Sequence, residues 1–176
     1  VAEAAREQCS LDTVDLIVSR VALAKEDVER PRLEDRLAIL RAAAASRPWL
    51  GVVVTDRQLI ADIAAGYDVV IMGADKWAQV VDPAFYGDSG DARDKSLARL
   101  PTVAIAPRPP FAIPDNVVAL DVAHDASSTA VRDGRTEWMA PEASEFDRLT
   151  GAWSDLERYE RWLREQGDGR VDGPGK

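Results

Sequence analysis

Residues 117–134 read VVALDVAHDASSTAVRDG, an apolar run rich in branched residues that gives way to a hydroxyl-rich turn and then to helical spacing. A buried strand running into the start of a helix is the layout from which α/β phosphate sites are built. Ser127, Ser128 and Thr129 are residue types that cap a helix with side-chain oxygens, leaving the first backbone N–H groups and the positive end of the helix dipole to face an anion. Arg132 follows Ser128 by one helical turn, so it projects from the same face, where a guanidinium can grip a phosphate with two parallel hydrogen bonds. The same letters also describe an ordinary capped helix with a surface arginine. The flanking chain has to decide between the two.

Outward from that stretch, strand-like and helix-like segments alternate. Residues 1–11 (VAEAAREQCSL) carry small and apolar residues at helical spacing, and 14–19 (VDLIVS) is a branched apolar run that reads as a buried strand. A charged loop with Pro31 leads to 33–45 (LEDRLAILRAAAA), a helix with Glu34 and Asp35 in its first turn and Pro48 beyond its end. Residues 49–55 (WLGVVVT) form a second strand, and 56–65 (DRQLIADIAA) a helix capped by Asp56 and closed by Gly66. The third strand, 67–72 (YDVVIM), is apolar on both faces, as central parallel strands covered by helices are.

A short helix at 78–82, a turn-rich stretch at 83–90 and a helix at 91–100 follow. The fourth strand, 102–106 (TVAIA), is cut off by Pro107, Pro109 and Pro110, and the fifth is 117–122. After a helix at 130–135 and a loop at 136–144, residues 146–166 place Leu149, Trp153, Leu156, Tyr159, Trp162 and Leu163 on one helical stripe. Packing of that stripe onto its own chain is favoured over a contact with a second copy in a homo-oligomer.

Strands alternating with helices imply parallel pairing through right-handed crossovers. The expected fold class is α/β, a Rossmann-like open parallel sheet with helices on both faces, in which ligands bind beyond the carboxyl ends of the strands. The expected organisation is an α/β domain over 1–140, a helical appendage over 141–166 and a disordered tail over 167–176.

Composition narrows the partners. With 46% hydrophobic and 30% charged residues, the chain has the make-up of a water-soluble globular protein, and no run approaches the length of a membrane span. The lone Cys9 cannot form an internal disulfide, which fits a reducing cytoplasm. A net charge of −9 without a basic stripe argues against binding a nucleic-acid backbone. His124 is the only histidine, and no cysteine or carboxylate cluster has metal-ligand spacing, so a metal would arrive with a phosphate ligand.

A second constellation, MGADKWAQ at 72–79, ends the most apolar strand. Gly73 lets a ligand approach the backbone, Asp75 offers a carboxylate to a ribose hydroxyl or base amine, Lys76 can neutralise phosphate, and Trp77 presents a stacking face. The alternative is a tight strand-to-helix turn with Asp75 as a cap and Trp77 in the core.

Taken together, GAD-x-W at one strand end and SSTAVR after the last strand resemble the HxGH nucleotidylyltransferases, most closely the nicotinate and nicotinamide mononucleotide adenylyltransferases. The segments DLIVSRVALAKE, LEDRLAIL and TVAIAPRPP resemble further strands, loops and a helix of that family, and the likeness runs from residue 1 to about 134. It implies transfer of AMP from ATP to a small pyridine mononucleotide with release of pyrophosphate, a reaction that rests on orienting phosphates and neutralising charge. By this likeness Ser127, Ser128, Thr129 and Arg132 hold the β and γ phosphates; Gly73, Ala74 and Asp75 contact the adenosine; Trp77 stacks on the pyridine or base. Arg132 and Lys25 would be the catalytic cations, Lys25 as a phosphate or pyridine-nucleotide contact, and Mg2+ would come with the triphosphate.

The family carries HxGH after a first strand, ahead of its first helix, whereas the first helix here begins at Val1. The expectation is therefore a piece of a longer enzyme whose preceding segment holds that strand and motif. Phosphopantetheine adenylyltransferase-like or cytidylyltransferase-like chemistry shares the phosphate site, and a nucleotide-binding module without activity is the alternative from a different class.

Overall fold

The computed structural model describes residues 1–21, 30–122 and 128–168. It is an α/β structure, and among the described residues its named strands pair in parallel. The chain divides into two compact units, one of Val1–Glu26 with Arg47–Asp125 and the other of Asp27–Ser46 with Ala126–Lys176.

The first unit holds the strands. Helix α1 (Ala2–Gln8) leads into β1 (Val14–Ser19), which pairs with β2 (Leu50–Thr55). A separate sheet has the order β3 (Val69–Gly73), β4 (Thr102–Ala106), β5 (Val118–Ala119). Among the described residues, the five strands thus form two sheets rather than one. The small side chain of Ala5 on α1 lets that helix lie close against Ala104, Ala106 and Leu120, with Cys9, Val69 and Ile71 packed around them. Burying this apolar surface is what holds α1 on the three-stranded sheet.

Several elements differ from the sequence pattern for identifiable reasons. The helix expected over 56–65 shrinks to α3 (Ile60–Ile63). Asp56, expected as its cap, instead accepts from Arg20 at 3.1 Å, and α3 has no side-chain cap. The helix after β3 starts at once, as α4 (Ala74–Val80), so Asp75 and Trp77 lie on helix rather than in a preceding loop. The Ser89 hydroxyl accepts from Ala92 N–H to cap α5 (Gly90–Leu97), leaving the segment between α4 and α5 to a short 3₁₀ turn at Pro83–Tyr86.

The second unit is helical: α2 (Leu33–Ala45), α6 (Ser128–Arg132), α7 (Pro141–Thr150) and α8 (Leu156–Asp168). The apolar stripe expected on one helix is broken at Gly151, whose φ of 77° lies in the left-handed region that ends α7. The stripe folds back on itself. Phe146 packs edge-on against Trp153 and Trp162, and Trp162 stacks on Tyr159. Asp147, buried in the turn, accepts from the backbone N–H groups of Trp153 and Ser154 and from the Ser154 hydroxyl.

Tyr159 ties this hairpin to α2. Its hydroxyl donates to the buried Asp35 carboxylate and accepts from the Arg32 backbone N–H at 2.9 Å. Arg32 also donates to Asp35 at 3.0 Å and lies over the Trp162 ring. Burial, and then the hydrogen bond to Asp35, pushes the Tyr159 hydroxyl above its ordinary value.

Candidate functional site

The carboxyl ends of β3 and β4 lie side by side, with Gly73 registered against Ala106. The two residues that follow each strand bring a carboxylate and a guanidinium together there: Arg108 donates to Asp75 Oδ2 at 2.9 Å. Both side chains are partly open to solvent, so the pair is accessible to a ligand. In water-exposed surroundings such a pair adds little to stability, which leaves its position, rather than its energy, as the informative feature.

Gly73 is needed by the geometry of this corner. A Cβ at that position would stand 2.5 Å from Asp75 Oδ1, closer than real Cβ atoms approach an oxygen, so the absent side chain is what lets the carboxylate lie over the strand end. Ala74, fully buried, seats the first turn of α4. Lys76 donates to Gln79 at 2.7 Å along the same helix. Trp77 is half-buried, between the core position and the open stacking face that its sequence context allowed.

On the other strand, the chain turns directly after Arg108, with the Phe111 N–H donating to the Arg108 carbonyl at 2.9 Å. This turn fixes the backbone from which the guanidinium reaches Asp75. Arg108 was not among the site residues expected from sequence; the available signal was a single arginine between prolines at the end of an apolar strand.

The structure therefore brings Gly73, Ala74, Asp75 and Trp77 into one corner of the first unit and adds Arg108. Helix α6 begins at Ser128 and ends at Arg132, so Ser128, Thr129 and Arg132 share one helix in the second unit, with the Arg132 side chain exposed. Lys25, His124 and Ser127 lie outside the described residues. Among the described residues, no group of three or more histidine, cysteine, aspartate or glutamate side chains is placed to hold a metal ion, and no helix is long and apolar enough to cross a membrane.

A carboxylate next to a guanidinium at parallel strand ends can accept from a hydroxyl or amine while offering donors to an anion, the two demands a nucleotide makes. Compared with known proteins, the chain matches no family model and no curated protein.

Proposed function

We propose that this chain is the nucleotide-binding part of an adenylyltransferase that joins AMP from ATP to a pyridine mononucleotide, nicotinate or nicotinamide mononucleotide, in NAD biosynthesis. The observation that carries the reading is the Asp75–Arg108 pair over Gly73 at the carboxyl ends of adjacent parallel strands, where open α/β folds hold nucleotides.

In this reading a phosphate oxygen of the mononucleotide attacks the α-phosphorus of ATP. The new P–O–P bond forms as the α–β bond breaks, and pyrophosphate leaves with the bonding electron pair. Asp75 accepts from the adenosine; Arg108 and Lys76 face the anionic part of a substrate. The family resemblance alone assigns the β and γ phosphates to Ser127, Ser128, Thr129 and Arg132 and a further cation to Lys25; Trp77 stacks on a ring, and magnesium would enter with the triphosphate. The protein works by positioning phosphates and compensating charge rather than through a covalent intermediate.

The test is calorimetric titration of the full chain with magnesium ATP, followed by an assay for pyrophosphate release with each mononucleotide. Saturable ATP binding that weakens in Asp75→Asn supports the reading. Absence of ATP binding overturns it, and binding without turnover favours a nucleotide-binding module instead.

A further inference from the structure

The turn that follows β4 carries a third chemically distinct side chain next to Arg108. Residues 107–111 read PRPPF, and the chain doubles back so tightly that Arg108 and Phe111 pair as an antiparallel bridge, closed by the hydrogen bond from the Phe111 N–H to the Arg108 carbonyl. Residues paired in this way send their side chains out from the same face. Arg108 uses that face to reach Asp75 Oδ2. The Phe111 side chain therefore leaves the backbone on the side from which the guanidinium meets the carboxylate.

The Phe111 ring is not part of the core. It is 43% exposed, although Ile105 and Ala106, just ahead of the turn, are buried. Single exposed apolar residues are common on any surface; what sets Phe111 apart is the backbone that carries it. Pro107, Pro109 and Pro110 have no N–H to donate and fix their own φ, so the segment cannot prolong the β4 ladder and holds the ring in place before a ligand arrives. An aromatic face ordered in advance costs little further entropy on binding. The other ring of this corner, Trp77, sits on α4 and is half-buried, which leaves Phe111 as the more open of the two.

We propose that Phe111 is a specificity-determining residue of this corner, the stacking face for the purine ring of the nucleotide from which Asp75 accepts. This rests on the nucleotide reading of the Asp75–Arg108 pair and extends it from charged and hydroxyl groups to the base. Three side chains then meet one ligand in three ways. The carboxylate accepts from a hydroxyl or amine, the guanidinium compensates anionic charge, and the phenyl ring covers one face of the base, taking apolar area of both out of water. Trp77 is left for the ring of the second substrate. Because a phenyl ring stacks on any base, the class selected is a planar ring on a phosphorylated sugar, in preference to sugar phosphates and polyphosphates that lack one.

The test is NMR of the full chain carrying ring-labelled phenylalanine, titrated with magnesium ATP. The chain has three phenylalanines, and the Phe111 signal is the one that disappears in Phe111→Tyr. The expected result is a set of nuclear Overhauser contacts between the Phe111 ring and the adenine ring protons, with an upfield shift of the latter. Phe111→Leu, which keeps apolar bulk without a ring, loses the shift and binds ATP roughly tenfold more weakly; Phe111→Tyr restores both. The wild-type contacts decide the matter even where a variant folds poorly. Adenine protons that touch no phenylalanine, contacts from Phe111 to the pyridine mononucleotide instead of ATP, or equal ATP affinity in Phe111→Leu and wild type would each overturn the proposal. Failure of the underlying nucleotide reading looks different: the wild-type chain then binds no ATP, or Asp75→Asn binds it equally well.

Discussion

Arg108 reaches Asp75 across two strands that are neighbours in the sheet but far apart in sequence, and Gly73 keeps the carboxylate within that reach. The three residues make a unit. Removing either charge takes this contact from the other, while the fold, which does not draw on an exposed pair for stability, stays intact.

For nucleotide binding, Asp75→Asn and Arg108→Ala are each expected to weaken ATP affinity by about 1 to 3 kcal/mol, the size of a charge-assisted contact. Thermal unfolding without nucleotide should change little. Unaltered affinity in both variants would return the pair to the status of a surface ion pair.

Gly73→Ala tests whether the corner geometry, and not the charge alone, matters. The added methyl displaces the Asp75 carboxylate, so the variant should lose ATP affinity by an amount similar to Asp75→Asn. In an Asp75→Ala background the same glycine change should cost little more, because the atom it collides with is gone. Additive losses in this cycle would show that Gly73 acts on something else.

Helix α6 was legible only in outline. The pattern places a helix over 130–135 after a strand over 117–122, whereas α6 spans Ser128–Arg132 and the strand before it is two residues long, Val118–Ala119. The runs VDLIVS and TVAIA gave strands with the expected bounds, since unbroken branched apolar residues allow few other buried solutions. Patterns read locally did less well where a distant group intervened. Arg20 draws Asp56 away from its cap, and a left-handed Gly151 divides a stripe whose periodicity looked continuous. Arg108 could not have been paired with Asp75 from spacing, because their meeting depends on the β3–β4 register.

On α6, Arg132→Ala and Ser128→Ala should each lower ATP affinity by about 1 to 3 kcal/mol if that helix grips the triphosphate. The discriminating measurement is AMP binding, which lacks the β and γ phosphates and should be unchanged in both variants. An equal loss for AMP and ATP would remove the helix from the triphosphate role.

Tyr159 carries a pH-dependent share of stability. Its folded hydroxyl holds the proton more tightly than an ordinary tyrosine, through burial first and the Asp35 bond second. A raised folded pKa means the contribution is complete below the unfolded value of about 10 and is lost as pH rises through the folded value. Urea unfolding of the wild type should therefore weaken between about pH 8 and about pH 11 more steeply than that of Tyr159→Phe. At the lower pH the variant should be less stable by about 1 to 3 kcal/mol, because Asp35 and the Arg32 N–H both lose a buried partner. Parallel pH profiles would show that the hydroxyl's titration is not felt by the fold.

Gly151 offers a test of how the aromatic stripe is folded. Its φ of 77° alone costs an alanine about 1 to 2 kcal/mol. A Cβ there would also stand 2.7 Å from both Arg158 Nε and the Asp155 carbonyl oxygen, so the turn that Asp147 closes would have to open. Gly66, with φ of 92° and nothing within 4 Å of its added Cβ, carries the backbone penalty without the collision. Gly151→Ala should therefore destabilise the protein more than Gly66→Ala, and it should also change the near-ultraviolet circular dichroism as Phe146, Trp153 and Trp162 lose their mutual packing. Equal losses in the two variants, with the aromatic signal unchanged, would mean that the α7–α8 turn yields to the extra methyl, and that the hairpin is held by Asp147 and the ring contacts rather than by the glycine.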